Sequence, residues 1–206
     1  MAFETPDIIE FTRVYLAVFY SMVAAFYTVR IFLMKRETSK ELVFPGTRFS
    51  CTWWNHMAFR FFRVAIWMVC LIRVFFPKLD DYLGIITPLE QAGVIITGVV
   101  LLTFGFIAIV AVHFRFGNQW RSGIDPRGPK NIIENGLYQY SRNPMFCFVA
   151  TAQLGFFLAI PSVFSFVCLV IGVLTLNRQA KAEEVHLLER FATEYAIYKS
   201  KVRRWV

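Results

Sequence analysis

The chain has 206 residues, 57% of them hydrophobic, 17% aromatic and 17% charged, with a mean hydropathy of +0.51. A soluble domain carries about 45–50% apolar and about 25% charged residues, so this composition excludes one, and recurrent apolar runs of spanning length indicate an integral membrane protein. The net charge of +8 falls mainly in loops and the C-terminal tail, as orientation signals do, which argues against a nucleic-acid partner.

The first residues, Met1 to Glu10, carry Glu4, Asp7 and Glu10 rather than a basic leader, so the first span is expected to be retained. That span runs from about Ile8 to Met34. A charged stretch from Lys35 to Arg48 follows and closes on the turn pair Pro45-Gly46. The second span, about Thr52 to Phe76, contains Arg60, Arg63 and Arg73. Arginines in a span are costly if they face lipid. Arg60 and Arg63 lie one helical turn apart on a shared face, which either snorkels to the near interface or meets an anionic ligand.

After a short connection, Pro77 to Thr87, the third span runs from Pro88 to Val112 and carries Gly93, Gly98 and Gly105. Small residues let helices approach closely in lipid, so this span is expected to pack centrally. The apolar run from Met145 to Leu176 is too long for one simple span, and Ile160-Pro161-Ser162 breaks it. It reads as two helices of about 15 residues joined by a tight turn, each short for a bilayer core of about 30 Å. From Asn177 onward the character changes. Leu187, Leu188, Phe191, Tyr195, Tyr198 and Val202 recur at three- and four-residue spacing, the pattern of an amphipathic surface helix.

The expected fold is therefore all-α: a single membrane domain over residues 1–206, with three transmembrane helices in 1–112. Residues 113–206 then hold a loop, a short helical hairpin and a C-terminal surface helix. The loops Lys35–Arg48 and Arg115–Arg142 and the tail Arg178–Arg204 are basic, so the positive-inside rule puts them on the cytoplasmic side. Five membrane segments with an outside N-terminus and a cytoplasmic C-terminus follow. Cys51, Cys70, Cys147 and Cys168 form no CxxC pair and read as small hydrophobes, so no metal site is expected.

The orientation gathers three polar segments on one side. Gly136-Leu137-Tyr138-Gln139-Tyr140-Ser141-Arg142-Asn143-Pro144-Met145-Phe146 joins a glycine-punctuated loop to the apolar run. Arg142 is placed to grip a carboxylate in a bidentate way, or to serve as an orientation signal. Glu183-Glu184 is read as the opening of the tail helix, where carboxylates either compensate the helix dipole or receive a ligand amine or hydroxyls. The tyrosines and Trp120 add aromatic faces. Together these groups suit a zwitterionic, nucleoside-containing ligand such as S-adenosylmethionine.

The same residues carry a resemblance. The run Gly136–Phe146, the apolar hairpin, and Glu183-Glu184 followed by Phe191, Glu194-Tyr195 and Tyr198 resemble the isoprenylcysteine carboxyl methyltransferase and phospholipid methyltransferase superfamily. Gly117-Asn118-Gln119-Trp120 looks like that family's Gly-x-x-Trp element. The chain departs from the pattern at Asn143 (often His), Phe146 (often Tyr) and Ala192 (usually Gly), and Arg203-Arg204 lacks a nearby proline.

What the resemblance implies is methyl transfer from S-adenosylmethionine to a lipophilic acceptor reached from the bilayer. The acceptor is a lipidated-thiol carboxylate, a phospholipid amine or a thiol. Gly136, Leu137, Tyr138, Arg142, Asn143, Pro144, Glu183 and Glu184 are the implied cofactor contacts, and Arg178 and Glu184 the residues positioning the acceptor. His113 and His186 are the available bases. Two alternatives stand beside this: an NADPH-dependent membrane reductase related to sterol reductases, and a non-catalytic scaffold of the same fold.

Overall fold

The computed structural model describes residues 4–38, 41–117 and 120–206, and the chain is all-helical apart from one short strand pair. Helix α1 spans Thr5–Thr38, α2 Cys51–Phe75, α3 Ala92–Phe116, α4 Pro144–Ala159, α5 Val163–Arg190 and α6 Ala192–Lys201. Three of these, α1, α3 and α5, are long and apolar enough to cross a membrane, while α4 is apolar but shorter. Their outer faces suit lipid: Phe11, Val18, Phe32, Val100 and Ile107 are all more than half exposed. A soluble protein would not leave such a band open.

Local chemistry explains the boundaries. Ser50 caps α2, its hydroxyl accepting from the Trp53 amide at 3.2 Å. Gly117 ends α3 with φ of +49°. The break expected at Ile160-Pro161-Ser162 is present, and Ser162 and Ser165 form a reciprocal capping box that restarts the chain as α5.

Two expectations change here. The second helix of the hairpin is 28 residues long, not about 15, and continues through Glu183-Glu184 to Arg190. Between Leu176 and Arg190 there is neither glycine nor proline to stop a helix. The polar residues from Asn177 onward therefore mark where α5 leaves its apolar stretch, not where a new helix starts. The glutamates sit in the last two turns of α5, where dipole compensation does not explain acidic residues. The separate surface helix is only α6, which begins after Phe191.

Helices α3 and α4 form the closest pair. A Cβ on Gly98 would lie 2.3 Å from the Ala159 amide nitrogen, one on Gly155 2.3 Å from that of Leu102, and one on Gly105 2.8 Å from that of Ala152. Gly98 and Gly105 thus do the packing expected of them. Gly93 faces open space. Leu16, Phe19, Cys70, Leu102, Phe106 and Phe156 form the core of the bundle around this pair.

Polar ties secure both ends of the bundle. At one end, the turn after α2 is bound to the α4–α5 turn through Val163 N–H to the Gly84 carbonyl and Ile86 N–H to the Pro161 carbonyl, both 2.8 Å. Asp80 there accepts from Arg13 at 2.9 Å and from Arg73 at 3.1 Å. Burial pushes the Asp80 carboxyl up, but Arg73 and Arg13 outweigh it and hold its pKa below the ordinary value. At the other end, β1 (Val43–Phe44) pairs in parallel with β2 (Ser122–Gly123). Gly123, at φ +84°, approaches so closely that a Cβ would sit 1.9 Å from the Phe44 carbonyl oxygen. This pair fixes the loop leading to the Gly136 turn.

Candidate functional site

The turn from Gly136 to Pro144 is shaped by backbone demands before side-chain chemistry enters. Gly136 has φ of +65°, a conformation that favours glycine, and the Arg115 guanidinium lies against it, 2.7 Å from where a Cβ would stand. Gly136–Gln139 then forms one 3-10 turn. Ser141 is buried, and its hydroxyl accepts from the Asn143 amide at 3.1 Å and donates to the Arg204 carbonyl at 3.0 Å. Pro144 opens α4 with no N–H to satisfy.

The C-terminal tail closes over this turn. The Arg142 amide donates to the Arg203 carbonyl at 2.9 Å. The Tyr198 hydroxyl, from α6, donates to the Tyr138 carbonyl at 2.7 Å. Tyr195 is almost fully buried beside Tyr198. Burial pushes the phenols of Tyr195 and Tyr198 up to about 12, so both remain protonated donors at neutral pH.

At the centre stands Glu184, 5% exposed. Arg204 grips it with a fork, Nε to Oε1 at 2.7 Å and Nη2 to Oε2 at 2.9 Å. Arg142 reaches the same carboxylate with Nη2 at 3.1 Å. With two guanidinium groups against it, Glu184 is an anion, and the pairing raises the pKa of Arg204 in turn, chiefly through its hydrogen bond to Glu184. Arg142 keeps two further donors, Nε and Nη1, that are buried and carry no hydrogen bond, and the Asn143 side-chain nitrogen is in the same condition. Buried N–H groups without partners are costly, so these three donors are available to an acceptor.

Glu183 lies one residue away on a different face of α5. Its Oε1 accepts from Gln179 at 2.9 Å, and its other oxygen carries no bond among the described residues. Burial first, and then the Glu183 charge, push the Tyr138 phenol well above its ordinary value, which puts the two side chains within electrostatic reach.

The structure therefore brings Gly136, Tyr138, Arg142, Asn143, Pro144, Glu183 and Glu184 to one end of the bundle. Leu137 is 40% exposed beside them. Arg178 is not part of the cluster: it is exposed and makes no hydrogen bond or ion pair among the described residues. Trp120 and His113 are used in packing. Their rings meet at 4.4 Å, His113 also touches Phe26 and Tyr27, and Trp120 is buried against Met34 and Leu42. The His186 Nε2–H donates to the Gly128 carbonyl at 2.9 Å, so it pins the loop. Asn118 and Gln119, of the Gly-x-x-Trp element, lie outside the described residues. The residue that sequence reasoning missed is Arg204. Its charge was legible only as part of a basic tail, and nothing local said that the tail folds back onto Glu184.

Residues 94–194 match the family model for phospholipid methyltransferase. The matched segment runs from the start of α3 to the start of α6 and contains both the Gly136–Phe146 run and Glu183-Glu184. The resembling motifs begin at Gly117, whereas the match begins earlier, in the glycine-bearing helix α3, and stops before Tyr195 and Arg204. No curated protein and no solved structure matches the chain.

Proposed function

We propose that this protein is an integral membrane methyltransferase that uses S-adenosylmethionine and delivers the methyl group to a lipophilic acceptor reached from the bilayer. The observation that carries the reading is the set of unpartnered, buried donors on Arg142 and Asn143 at the start of α4. A carboxylate can accept there from Arg142 through Nε or Nη1, which lie on different edges of the guanidinium, with the Asn143 side-chain N–H as a further donor. The family match across the same residues makes the carboxylate of S-adenosylmethionine the natural occupant.

Roles follow from the geometry. Gly136, Leu137, Tyr138 and Pro144 shape the wall of the turn. Glu184 holds Arg142 in place from behind, so it positions the anion grip and does not itself meet the cofactor amine. Glu183, with an open oxygen, is the carboxylate left to receive an ammonium or ribose hydroxyls. When bound, S-adenosylmethionine supplies a methyl group already activated on sulfur, and the protein contributes alignment, exclusion of water and charge placement. Helix α6 and the tail at Arg203-Arg204 cover the turn. Arg178, exposed and one turn beyond Thr175 on α5, stands apart from this site.

In this reading α1 to α5 are five membrane segments, with the N-terminus outside and the site and C-terminus cytoplasmic, supported by the basic loops at the site's end. Calorimetry with S-adenosylhomocysteine tests the reading directly. Micromolar binding that requires Arg142 is expected. Stabilisation by NADPH without response to S-adenosylhomocysteine would replace it with the reductase alternative, and response to neither would leave a scaffold.

A further inference from the structure

The inference concerns the tail at residues 202–206 and rests on the cofactor reading above. Helix α6 ends at Lys201, and Val202 is extended, with φ −118° and ψ 133°. Beyond it, two carbonyls tie the tail to the motif turn. That of Arg203 accepts from the Arg142 amide at 2.9 Å, and that of Arg204 from the Ser141 hydroxyl at 3.0 Å. Such bonds give a modest net gain, while ordering an extended segment costs backbone entropy at every residue. The tail therefore needs an apolar anchor, and Trp205 supplies one. With Phe146, Ala150, Val173 and Leu174 it lines a cleft of about 320 Å³ between α4 and α5. Val173 and Leu174 are 45% and 51% exposed, so the cleft lies on the lipid-facing side of the bundle. Phe146 belongs to the first turn of α4, which puts Trp205 at the edge of the apolar layer. Tryptophan favours that level, where its ring meets apolar surroundings and its N–H meets water.

What the anchored tail delivers is Arg204. Its Nε and Nη2 take both oxygens of Glu184, at 2.7 and 2.9 Å, so the carboxylate's fork is already filled. Arg142 is thereby limited to one contact, Nη2 to Oε1 at 3.1 Å, and its Nε and Nη1 carry no bond. Without Arg204, both oxygens would turn to Arg142, the remaining guanidinium of the triad. A fork from Arg142 uses Nη2 together with Nε or Nη1, so one of the open donors would be drawn inward. Arg204 thus keeps Arg142 open by satisfying the carboxylate that would otherwise consume it.

We propose that Trp205 is a positioning residue for the cofactor carboxylate. Seated at the α4–α5 cleft, it holds Arg204 on Glu184 and so leaves Arg142 free to bind. Both Arg204 and Trp205 lie outside residues 94–194, so the matched segment receives this control from the tail. The ring acts through Arg204 and needs no contact with the cofactor.

Two measurements on the full chain in lipid nanodiscs test this. The first uses no ligand: hydrogen exchange of the motif turn, whose Arg142 amide is held by the tail. Exchange there should be about tenfold faster or more in Trp205→Ala and close to wild type in Trp205→Phe, with α3 unchanged. The second is calorimetry with S-adenosylhomocysteine and with methylthioadenosine, which keeps the nucleoside and sulfur but lacks the carboxylate. Trp205→Ala and Arg204→Gln should each weaken S-adenosylhomocysteine about tenfold or more, and methylthioadenosine by less than about twofold. Trp205→Phe should stay within about threefold of wild type for both. Equal losses for the two ligands would make the tail merely structural, and unchanged exchange in Trp205→Ala would remove the ring as its anchor. Either result overturns the proposal. Should Trp205→Ala fail to fold, Arg204→Gln leaves the ring in place and decides by the same two-ligand contrast. A wild type that binds neither ligand would sink the cofactor reading itself. The exchange data, taken without ligand, would then still show or refute Trp205 as the anchor of the tail.

Discussion

Two carboxylates in this chain are each held between two arginines, at opposite ends of the bundle and roughly 30 Å apart along α5. Asp80 joins Arg13 and Arg73, and thereby ties α1 and α2 to the turn that follows α2. Glu184 joins Arg142 and Arg204, and thereby ties α5 to the motif turn and the tail. The chemistry is the same, but the surroundings differ. At Asp80 the three groups use one another closely, and Arg73 Nη1 is the one buried nitrogen of the triad left without a bond. At Glu184 the cluster leaves two buried nitrogens of Arg142 without a bond, and the side-chain nitrogen of the next residue, Asn143, is in the same condition. A triad that closes on itself is a staple. One that closes on one side and stays open on the other is a staple with a binding face.

Removing the central carboxylate is the harshest way to probe that distinction. Asp80→Asn and Glu184→Gln each strand two guanidinium groups, and breaking a buried pair in this way costs about 3–5 kcal/mol. Both variants should therefore lose comparable stability in thermal or denaturant unfolding. Only Glu184→Gln should also weaken S-adenosylhomocysteine, because Arg142 loses its anchor. Equal loss of ligand affinity in Asp80→Asn would erase the contrast between the two ends.

The Asp80 triad has a pH signature as well. Its carboxyl pKa is depressed in the folded state, so the stability it contributes is present above the unfolded pKa of about 3.9 and is lost as pH falls through the lower folded value. The stability difference between wild type and Asp80→Asn should accordingly be constant from neutral pH down to about 5 and shrink below about 4. A difference that persists undiminished into strong acid would mean the depression is absent.

Arg142→Ala is the narrower cut. It leaves Arg204 on Glu184 and removes the open donors, at a cost of about 1.5–3 kcal/mol in binding a carboxylate, or tenfold or more in affinity. Calorimetry of a folded variant with S-adenosylhomocysteine measures it directly. Unchanged affinity would leave the open nitrogens without a ligand to explain them.

How far the sequence led differs between the same two ends. The apolar runs, the break at Ile160-Pro161-Ser162 and the glycines of α3 were legible because period, length and residue size act locally. The gathering of the Gly136 turn and the glutamates at one end was also legible, from charge in the loops. The pairing inside each triad was not. Arg13 and Asp80 are 67 residues apart, and Arg204 reaches Glu184 only because α6 turns back after Phe191. The length of α5 was misjudged for a related reason: a change from apolar to polar residues alters which solvent a helix meets without ending it. Nor could spacing say that Arg178 would stand apart from the cluster while Arg204 joined it.

The finest discrimination concerns Glu183, the neighbour of the stapled carboxylate. The side chains at 183 and 184 point about 100° apart, so one helix presents one carboxylate to the arginines and the other toward Tyr138 and Gln179. Glu183→Gln preserves size and the bond from Gln179 can be re-formed to the amide oxygen, so stability should change by no more than about 0.5 kcal/mol. If the open oxygen of Glu183 receives the cofactor or orients the acceptor, methyl transfer should nonetheless fall tenfold or more, which is about 1.4 kcal/mol of transition-state stabilisation. The split between an intact fold and a slowed reaction is what a purely structural glutamate cannot produce. Comparing kcat with KM for S-adenosylmethionine then assigns the loss, since a binding role raises KM and an orienting role lowers kcat. Near-normal turnover with a native acceptor would show that the carboxylate beside the staple is only surface chemistry, and that the binding face of the triad ends at Arg142 and Asn143.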